Sequence, residues 1–208
     1  MKKFNDVITT REQLRSVIDE PWDMVIDKAL DRLDKHCGVF INRCPFLLIS
    51  SADAQGNADI SPKGDPVGFV KIIDEKTLAI PDRPGNDRAD TFENILQNPK
   101  VGLIFMIPGK SETLRVSGVA SIVRDKHLRN SMAIRGRAPD FALVVHVEEA
   151  FFHCSKSIMR SKLWKQEEWP ELSGLPRLAD TMVDAGQLSI SKEEMHEIVV
   201  NDEIDRLY

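Results

Sequence analysis

The sequence predicts a mainly β domain, an antiparallel barrel of six strands with flanking helices. At least six segments are continuously apolar or alternate between apolar and polar residues, which is typical of strands, and short turns join most of them. Few segments have helical periodicity, whereas a doubly wound parallel sheet needs a helical crossover between most of its strands. The pattern therefore favours an antiparallel barrel.

The first third of the chain changes from helical to strand periodicity. Helical spacing extends over about residues 10–36, in two pieces separated by Pro21. After Pro45, the segments FLLISSAD and NADISPKGD predict a hairpin, because Gly56 and Asn57 between them tolerate the positive φ of a tight turn. The segments GFVKIID and TLAIPD predict a second hairpin around the turn DEKT.

The remainder of the chain adds strands, short helices and a helical tail. A helix over residues 89–97 precedes the strand KVGLIFMIP, and a helix over about 125–135 separates the strands TLRVSGVASIVRD and FALVVHVEEAFFHC. The tail of about 170–208 is helical again, with a capping-box pattern at Ser191 and Glu194. No repeat or glycine-serine linker interrupts the sequence, so we expect residues 1–208 to form a single domain.

Composition excludes several classes of protein. The chain has 208 residues, 42% hydrophobic and 29% charged, which suits a globular domain with a full core. A formal net charge of -5 argues against a general nucleic-acid binder, and no segment has the apolar length of a membrane span. The start has no secretory apolar segment, and three cysteines without a CxxC pair fit a reducing compartment. We expect a cytoplasmic protein with no nucleic-acid or membrane partner.

The stretch PDRPGNDR, residues 81–88, lies where a predicted strand meets a predicted helix. Its prolines stiffen the loop, Gly85 allows close approach of a ligand, and Arg83, Asn86 and Arg88 supply donors. A helix start offers unpaired N–H groups and partial positive charge, so added arginines suit a phosphate. The alternative is a solvated turn whose arginines pair with neighbouring aspartates, and these residues alone leave both interpretations open.

A second candidate is SPKGD, residues 61–65, where a strand is expected to break into a turn that carries Lys63. Exposed N–H groups and a cation there could hold the carbonyl and ring-nitrogen edge of a flat heterocycle. The alternative is an ordinary hairpin end with a surface lysine, which we favour for this segment taken alone.

A third candidate is the predicted helix in HCSKSIMRSKLW, residues 153–164. Lys156 and Arg160 stand four residues apart on one face, and Trp164 continues that face. Such a face can bind an anion while the indole covers an aromatic ligand. A basic amphipathic helix packed by its apolar residues is the equal alternative.

Other chemistries lack a pattern in this sequence. His153 and Cys154 are adjacent, which places them on opposite faces of a strand, and no histidine or cysteine has a partner at zinc-site spacing, so we expect no metal site. No GxSxG turn, GxGxxG loop or P-loop occurs, which argues against serine hydrolases and the common nucleotide folds.

Four segments, in order and spacing, resemble the FMN-binding split barrels related to pyridoxamine 5'-phosphate oxidase. They are ADISPKGD, IPDRPGNDRADTFENILQNPKVGLIFMIPG, ETLRVSGVA and HCSKSIMRSKLW, and the resemblance covers roughly residues 36–165. It is greatest to the branch described as FMN-dependent enzymes of that class. The resemblance implies a homodimer of six-stranded barrels with two FMN molecules in grooves at the subunit interface.

The resemblance also implies which residues bind the cofactor. Thr113 stands where the family usually has glutamine, so that contact departs from the family pattern. The implied positions are Ser61, Pro62, Lys63 and Gly64 at the isoalloxazine, Arg83, Asn86 and Arg88 at the phosphate, Thr113 and Arg115 from the partner subunit, and Lys156, Arg160, Ser161 and Trp164 from the segment after the last strand.

The expected function is an FMN-dependent oxidoreductase that acts on an unidentified small organic substrate. Lys63 or Lys156 could stabilise the negative charge that gathers at the N1 and O2 edge of reduced flavin. The alternative is a non-catalytic protein that holds FMN or a haem-like ligand. The arginine and histidine pair with which true pyridoxamine phosphate oxidases bind substrate is absent after Trp164, and the final DRLY resembles their terminal segment only faintly. The tail is expected to cover the flavin groove or to extend the dimer.

Overall fold

The structure, a computed structural model, describes residues 4–208 and contains one antiparallel sheet with flanking helices. The sheet order is β2-β1-β5-β6-β7-β4-β3. Its strands are β1 (Phe46–Ala52), β2 (Ala58–Gly64), β3 (Lys71–Asp74), β4 (Thr77–Pro81), β5 (Lys100–Met106), β6 (Thr113–Val123) and β7 (Ala142–His153). The mainly β prediction is confirmed. The sheet has seven strands rather than six, because both predicted hairpins and the three later strands all join one sheet, with the short β3 at its edge.

Helices flank this sheet at both ends of the chain and in two connections. They are α1 (Arg11–Arg15), α2 (Asp23–Asp27), α3 (Lys35–Ile41), α4 (Asp90–Gln97), α5 (Lys126–Ser131), α6 (Lys156–Ser161), α7 (Leu178–Gly186) and α8 (Lys192–Asp205). The helical pattern of residues 10–36 is interrupted, because Leu30 exchanges two backbone hydrogen bonds with Ala150 of β7. Tertiary pairing thus overrides the apolar spacing there.

The core lies on one face of the sheet. Alternate side chains of each long strand are buried, as in Leu47 and Ile49 of β1, while the residue between them is only partly buried. Residues from strands near both ends of the sheet order, such as Ile49 and Ile80, belong to one apolar cluster. The sheet therefore curls around this main core, as a split barrel requires, and a small separate cluster contains Ala79, Met132 and Ala142.

A bulge shapes the long β6–β7 pair. The register shifts between Ser117 and Gly118, and a Cβ on Gly118 would lie 2.0 Å from the main-chain oxygen of His146. Only glycine allows the two backbones to approach this closely, and a bulge adds local bend and twist to the strands.

The SPKGD segment is strand rather than turn. Ser61, Pro62, Lys63 and Gly64 all belong to β2, which pairs only with β1 and forms an edge of the sheet. Pro62 lacks a donor for the ladder, and an edge strand tolerates this because only one of its sides is paired. The turn predicted here was wrong for that reason. Ser61 and Lys63 are half-buried on one side of the strand, and Pro62 and Gly64 are exposed on the other.

The tail residues form a helix pair. Helices α7 and α8 contact each other, and each buries one residue, Ala179 and Met195. The capping box at the start of α8 is confirmed, because Ser191 accepts from the Glu194 N–H and the Glu194 carboxylate accepts from the Ser191 N–H. Across residues 4–208, no helix has both the length and the apolar character that a membrane crossing demands.

Candidate functional site

A cleft of about 1000 Å³ opens beside strand β2. Its walls are β2, the loop from β4 to α4, the segment 137–141 before β7, and the end of the tail. Cofactor and small-molecule sites commonly have volumes of about 300–1000 Å³. The cleft is lined by six of the residues predicted to bind the cofactor: Ser61, Pro62, Lys63, Arg83, Asn86 and Arg88. Folding therefore brings two of the three candidate motifs to one place.

The loop of residues 82–89 has an unusual backbone. Asp87 and Ala89 both have positive φ, 57° and 56°, although neither is glycine. Left-handed residues of this kind cost about 1–2 kcal/mol each and cluster at functional sites. Ala89 is also the residue before α4, so no side chain caps this helix start. The first N–H groups of α4 are therefore open to an anion.

Arg88 lies at the exposed rim of this loop. Its Nε is 2.7 Å from Asp90 Oδ2, and its side chain is 69% exposed. Hydrogen bonding to that carboxylate raises the pKa of Arg88. The Asn86 side chain accepts from the Arg88 N–H at 3.1 Å. The arginine–aspartate pairing foreseen as the alternative for this loop thus occurs, but exposed ion pairs are weak and exchange readily for another anion.

Arg83 has a different environment, which the sequence did not reveal. Its Nε is 2.6 Å from Asp65 Oδ2, and its terminal nitrogen Nη2 donates to the main-chain oxygen of Met132 at 2.8 Å. The two side chains of the pair are 15% and 1% exposed. The second carboxylate oxygen of Asp65 is buried with no hydrogen-bond partner among residues 4–208. Arg83 is therefore a structural anchor between β2 and the loop, and only part of its guanidinium faces the cleft.

A small group of ionisable residues lies deeper in the cleft. Lys63 donates to Ser61 Oγ at 3.1 Å. Burial raises the pKa of Asp82, the charge of Asp140 adds to this effect, and the charge of Lys63 opposes it. The Asp82 N–H donates to Phe141 O at 3.1 Å, which fixes the backbone of Asp82. Sequence reasoning treated Asp82 as an arginine partner and missed it as a proton-binding group.

The end of the tail also enters the cleft. Asp205, Arg206 and Tyr208 line it, and the Arg206 guanidinium is 3.1 Å from Asp87 Oδ2. Arg137 donates to the main-chain oxygen of Tyr208. Sequence reasoning expected the tail to cover a groove or to extend a dimer but assigned none of these residues. The DRLY segment was the available signal.

The other predicted site residues lie outside this cleft in their own chain. Gly64 is the last residue of β2, next to Asp65, and does not line the cleft. Arg115 lines a second, shallow cavity of about 150 Å³ on the outer face of the sheet, with Phe151 among its walls. Its guanidinium lies 5.2 Å from the centroid of the Phe151 ring.

The third motif clusters at the far end of the β6–β7 pair. Thr113 pairs with His153 in that ladder, and α6 follows immediately. Trp164 Nε1 donates to Lys110 O at 2.8 Å, so its indole is held by the β5–β6 turn. Ser161 Oγ donates to Ile158 O. The side chains of Lys156 and Arg160 are exposed and make no hydrogen bond or ion pair within residues 4–208.

The possible metal ligands do not cluster in the described residues, and the cysteines are not paired with one another. Over residues 4–208, no three histidine, cysteine or acidic side chains come together as a metal site would require. All three cysteines are free, with Cys37 and Cys44 buried and Cys154 exposed. Burial raises the pKa of Cys37 to about 11, so its thiol stays protonated at neutral pH.

The antiparallel sheet, its curl around the main core and the cleft beside β2 define the fold class as a split barrel. The family model for pyridoxamine 5'-phosphate oxidase matches residues 33–154, more than half of the chain. The chain therefore belongs to the pyridoxamine 5'-phosphate oxidase family, whose members commonly bind flavin. This confirms the family that the four segments indicated. The matched region ends before α6, so the helical tail lies outside it.

The solved structures that this chain matches include proteins that bind different ligands. HupZ of Group A Streptococcus is 21% identical, covers 58% of this chain and 93% of its own, and has a TM-score of 0.47. An FMN-binding protein from Syntrophomonas wolfei is 16% identical, with 69% and 94% covered and a TM-score of 0.42. The haem storage protein HutZ from Vibrio cholerae is 18% identical, with 58% and 94% covered and a TM-score of 0.43.

These TM-scores are below 0.5, and the family assignment rests on the family model. Among curated protein sequences, no match was found.

Proposed function

We propose that this protein is a cytoplasmic flavin-dependent oxidoreductase that binds FMN in the cleft and acts on a small organic substrate. One observation carries the proposal: the arginine-bearing loop and the SPK segment of β2, which are distant in sequence, line the same cleft. Membership of a family that commonly binds flavin supports FMN as the ligand.

The donors around the loop fit a phosphate dianion. Arg88, Asn86 and the open N–H groups at the start of α4 offer charge-assisted hydrogen bonds. Each is worth about 1.5–3 kcal/mol net, so three or four suffice for submicromolar affinity after the costs of association. A Cβ on Gly85 would meet no atom within 4 Å, so the backbone there is open to a ligand. Arg83 supports this arrangement by fixing the loop to Asp65.

The residues of β2 fit the flat ring system. A bound flavin supplies the electron-transfer chemistry, and the protein supplies position and charge. Lys63, held by Ser61 Oγ, places a cation in the cleft where it can stabilise developing negative charge. Asp82, with its raised pKa, can hold a proton nearer to neutral pH than an ordinary aspartate can.

The residues outside the cleft fit a homodimer. Thr113, Arg115, Lys156, Arg160, Ser161 and Trp164 lie away from the cleft of their own chain. We propose that they complete the flavin site of a second copy. The unpaired, exposed side chains of Lys156 and Arg160 are available for that role.

The second candidate is a non-catalytic flavin holder. Its support is that no histidine or cysteine of the described chain lines the cleft, so the usual acid–base catalyst near pH 7 is missing. The same observation disfavours haem there, since its iron is commonly held by histidine or cysteine.

The test begins with the visible spectrum of the purified protein and the mass of the cofactor released by heat. Arg88→Ala should lower FMN affinity about 10- to 100-fold, because one charge-assisted contact is lost. Arg43→Ala is the matched control, since Arg43 is exposed and does not line the cleft. Unchanged FMN occupancy in Arg88→Ala would contradict the phosphate assignment.

Reduction experiments separate the two candidates. Bleaching of bound flavin by NADH or NADPH under argon, with recovery in air, is expected for the oxidoreductase. A flavin that binds to the wild-type protein but stays oxidised with every donor would instead support the holder.

A further inference from the structure

The segment Arg206–Tyr208 occupies one side of the cleft through several contacts. The Tyr208 ring lies near two guanidinium groups, with its centroid 5.2 Å from Arg135 Cζ and 5.9 Å from Arg83 Cζ. Arg137 donates to the main-chain oxygen of Tyr208, and Arg206 pairs with Asp87 of the loop. The tail thereby takes contacts from both walls of the cleft.

We propose that Arg206–Tyr208 is an autoinhibitory latch that competes with an anionic ligand for the loop side of the cleft. The inference rests on the proposed function only in taking the cleft as the ligand site. It adds a conformational step that controls access to that site.

The Tyr208 ring lies beside the base of the loop. Asp65 and Met132 hold the guanidinium of Arg83, and the centroid of the Tyr208 ring is 5.9 Å from Arg83 Cζ. A ligand at the loop would therefore meet the ring on this side of the cleft. Arg206 binds Asp87, which lies between the two proposed phosphate donors Asn86 and Arg88, so the latch also crowds the exposed part of the loop.

The latch is built from contacts that are weak enough to release. The side chains of Arg206 and Asp87 are 50% and 77% exposed, and an exposed ion pair changes an equilibrium by about fivefold at most. The cation–π contact between Tyr208 and the exposed Arg135 has a similar limit. Arg206 directly follows α8 and also pairs with Asp202 of that helix at 3.2 Å, so the covalent chain keeps a released segment close to the cleft. A tethered, weakly held segment of this kind can be displaced by a ligand that binds more tightly.

The first test compares FMN affinity of flavin-free wild-type protein with a variant that lacks residues 206–208. Loss of the latch should tighten binding about tenfold, measured by quenching of flavin fluorescence. Lys192→Ala is the control, because it breaks an exposed tail ion pair with Asp184 at 2.7 Å that does not line the cleft. Equal affinity, or weaker binding by the shortened protein, would overturn the latch; weaker binding would make the segment a lid that contacts ligand.

The second test needs no FMN. Tyr208 is the only tyrosine in the chain, so protein labelled with carbon-13 at the tyrosine Cζ gives one signal. The signal of ligand-free wild type should differ from that of free tyrosine, and Arg135→Ala should move it toward the free value. A wild-type signal already at the free value would exclude the docked latch. If neither the wild-type nor the shortened protein binds FMN, the proposed function fails, and docking of Tyr208 is still decided by this signal.

Discussion

Replacing Arg83 with Met should lower the free energy of unfolding by about 3–5 kcal/mol, the usual effect of removing one partner from a buried ion pair. The Asp65 side chain is only 1% exposed and lies 2.6 Å from Arg83 Nε. Its other oxygen lacks a hydrogen-bond partner of good geometry within residues 4–208, although burial and this carboxylate together raise the pKa of the Tyr208 hydroxyl. The variant would therefore bury a carboxylate that has lost its arginine partner. Urea unfolding of the flavin-free protein, followed by circular dichroism, measures the loss.

Two further variants sharpen this prediction. Lys100→Met removes a pair of equal length, 2.6 Å, whose side chains are 61% and 45% exposed, and should lose less than about 1 kcal/mol. The double variant Arg83→Met, Asp65→Leu should recover most of the loss, since apolar replacements of buried pairs are often neutral. If Arg83→Met is no less stable than Lys100→Met, the reasoning is refuted. Because Arg83 anchors β2, Arg88 is the cleaner probe of phosphate binding.

Three other substitutions test the bulge, the loop glycine and the cleft carboxylate. Gly118→Ala should lower the free energy of unfolding by about 1–3 kcal/mol, because its Cβ would lie 2.0 Å from His146 O. In Gly85→Ala the added Cβ meets no protein atom within 4 Å, so this variant should unfold at the same urea concentration as the wild type. It should bind FMN less tightly, because the methyl group would occupy space next to the proposed phosphate site. Equal unfolding midpoints for the two variants would contradict this. Burial raises the pKa of Asp82, so the fold favours its neutral form, and this contribution to stability is lost as pH rises through the raised value. Asp82→Asn should therefore raise the urea midpoint at about pH 7, with a gain that shrinks toward about pH 4; a gain independent of pH would show that charge burial is not its cause.

Much of the fold could be predicted because its signals are local. Alternation of apolar residues predicted the strands, and turn residues such as Gly56 predicted the hairpins. The SPKGD segment was misassigned, because Pro62 and Gly64 indicate a turn except at the edge of a sheet, and edge position depends on which strands pair. The helical prediction over residues 10–36 was incomplete for a related reason, since Leu30 pairs with a strand about 120 residues later in the chain.

The sequence by itself determined the family, the order of the strands along the chain, and the stiff arginine-bearing loop before α4. Proline, glycine and charge patterns act over a few residues, so the sequence alone is enough to recognise them. Only the tertiary structure showed that Asp65 holds Arg83 and that Tyr208 lies against the same guanidinium. Those contacts join residues 18 and 125 positions apart, and their strength depends on burial, which no local pattern specifies.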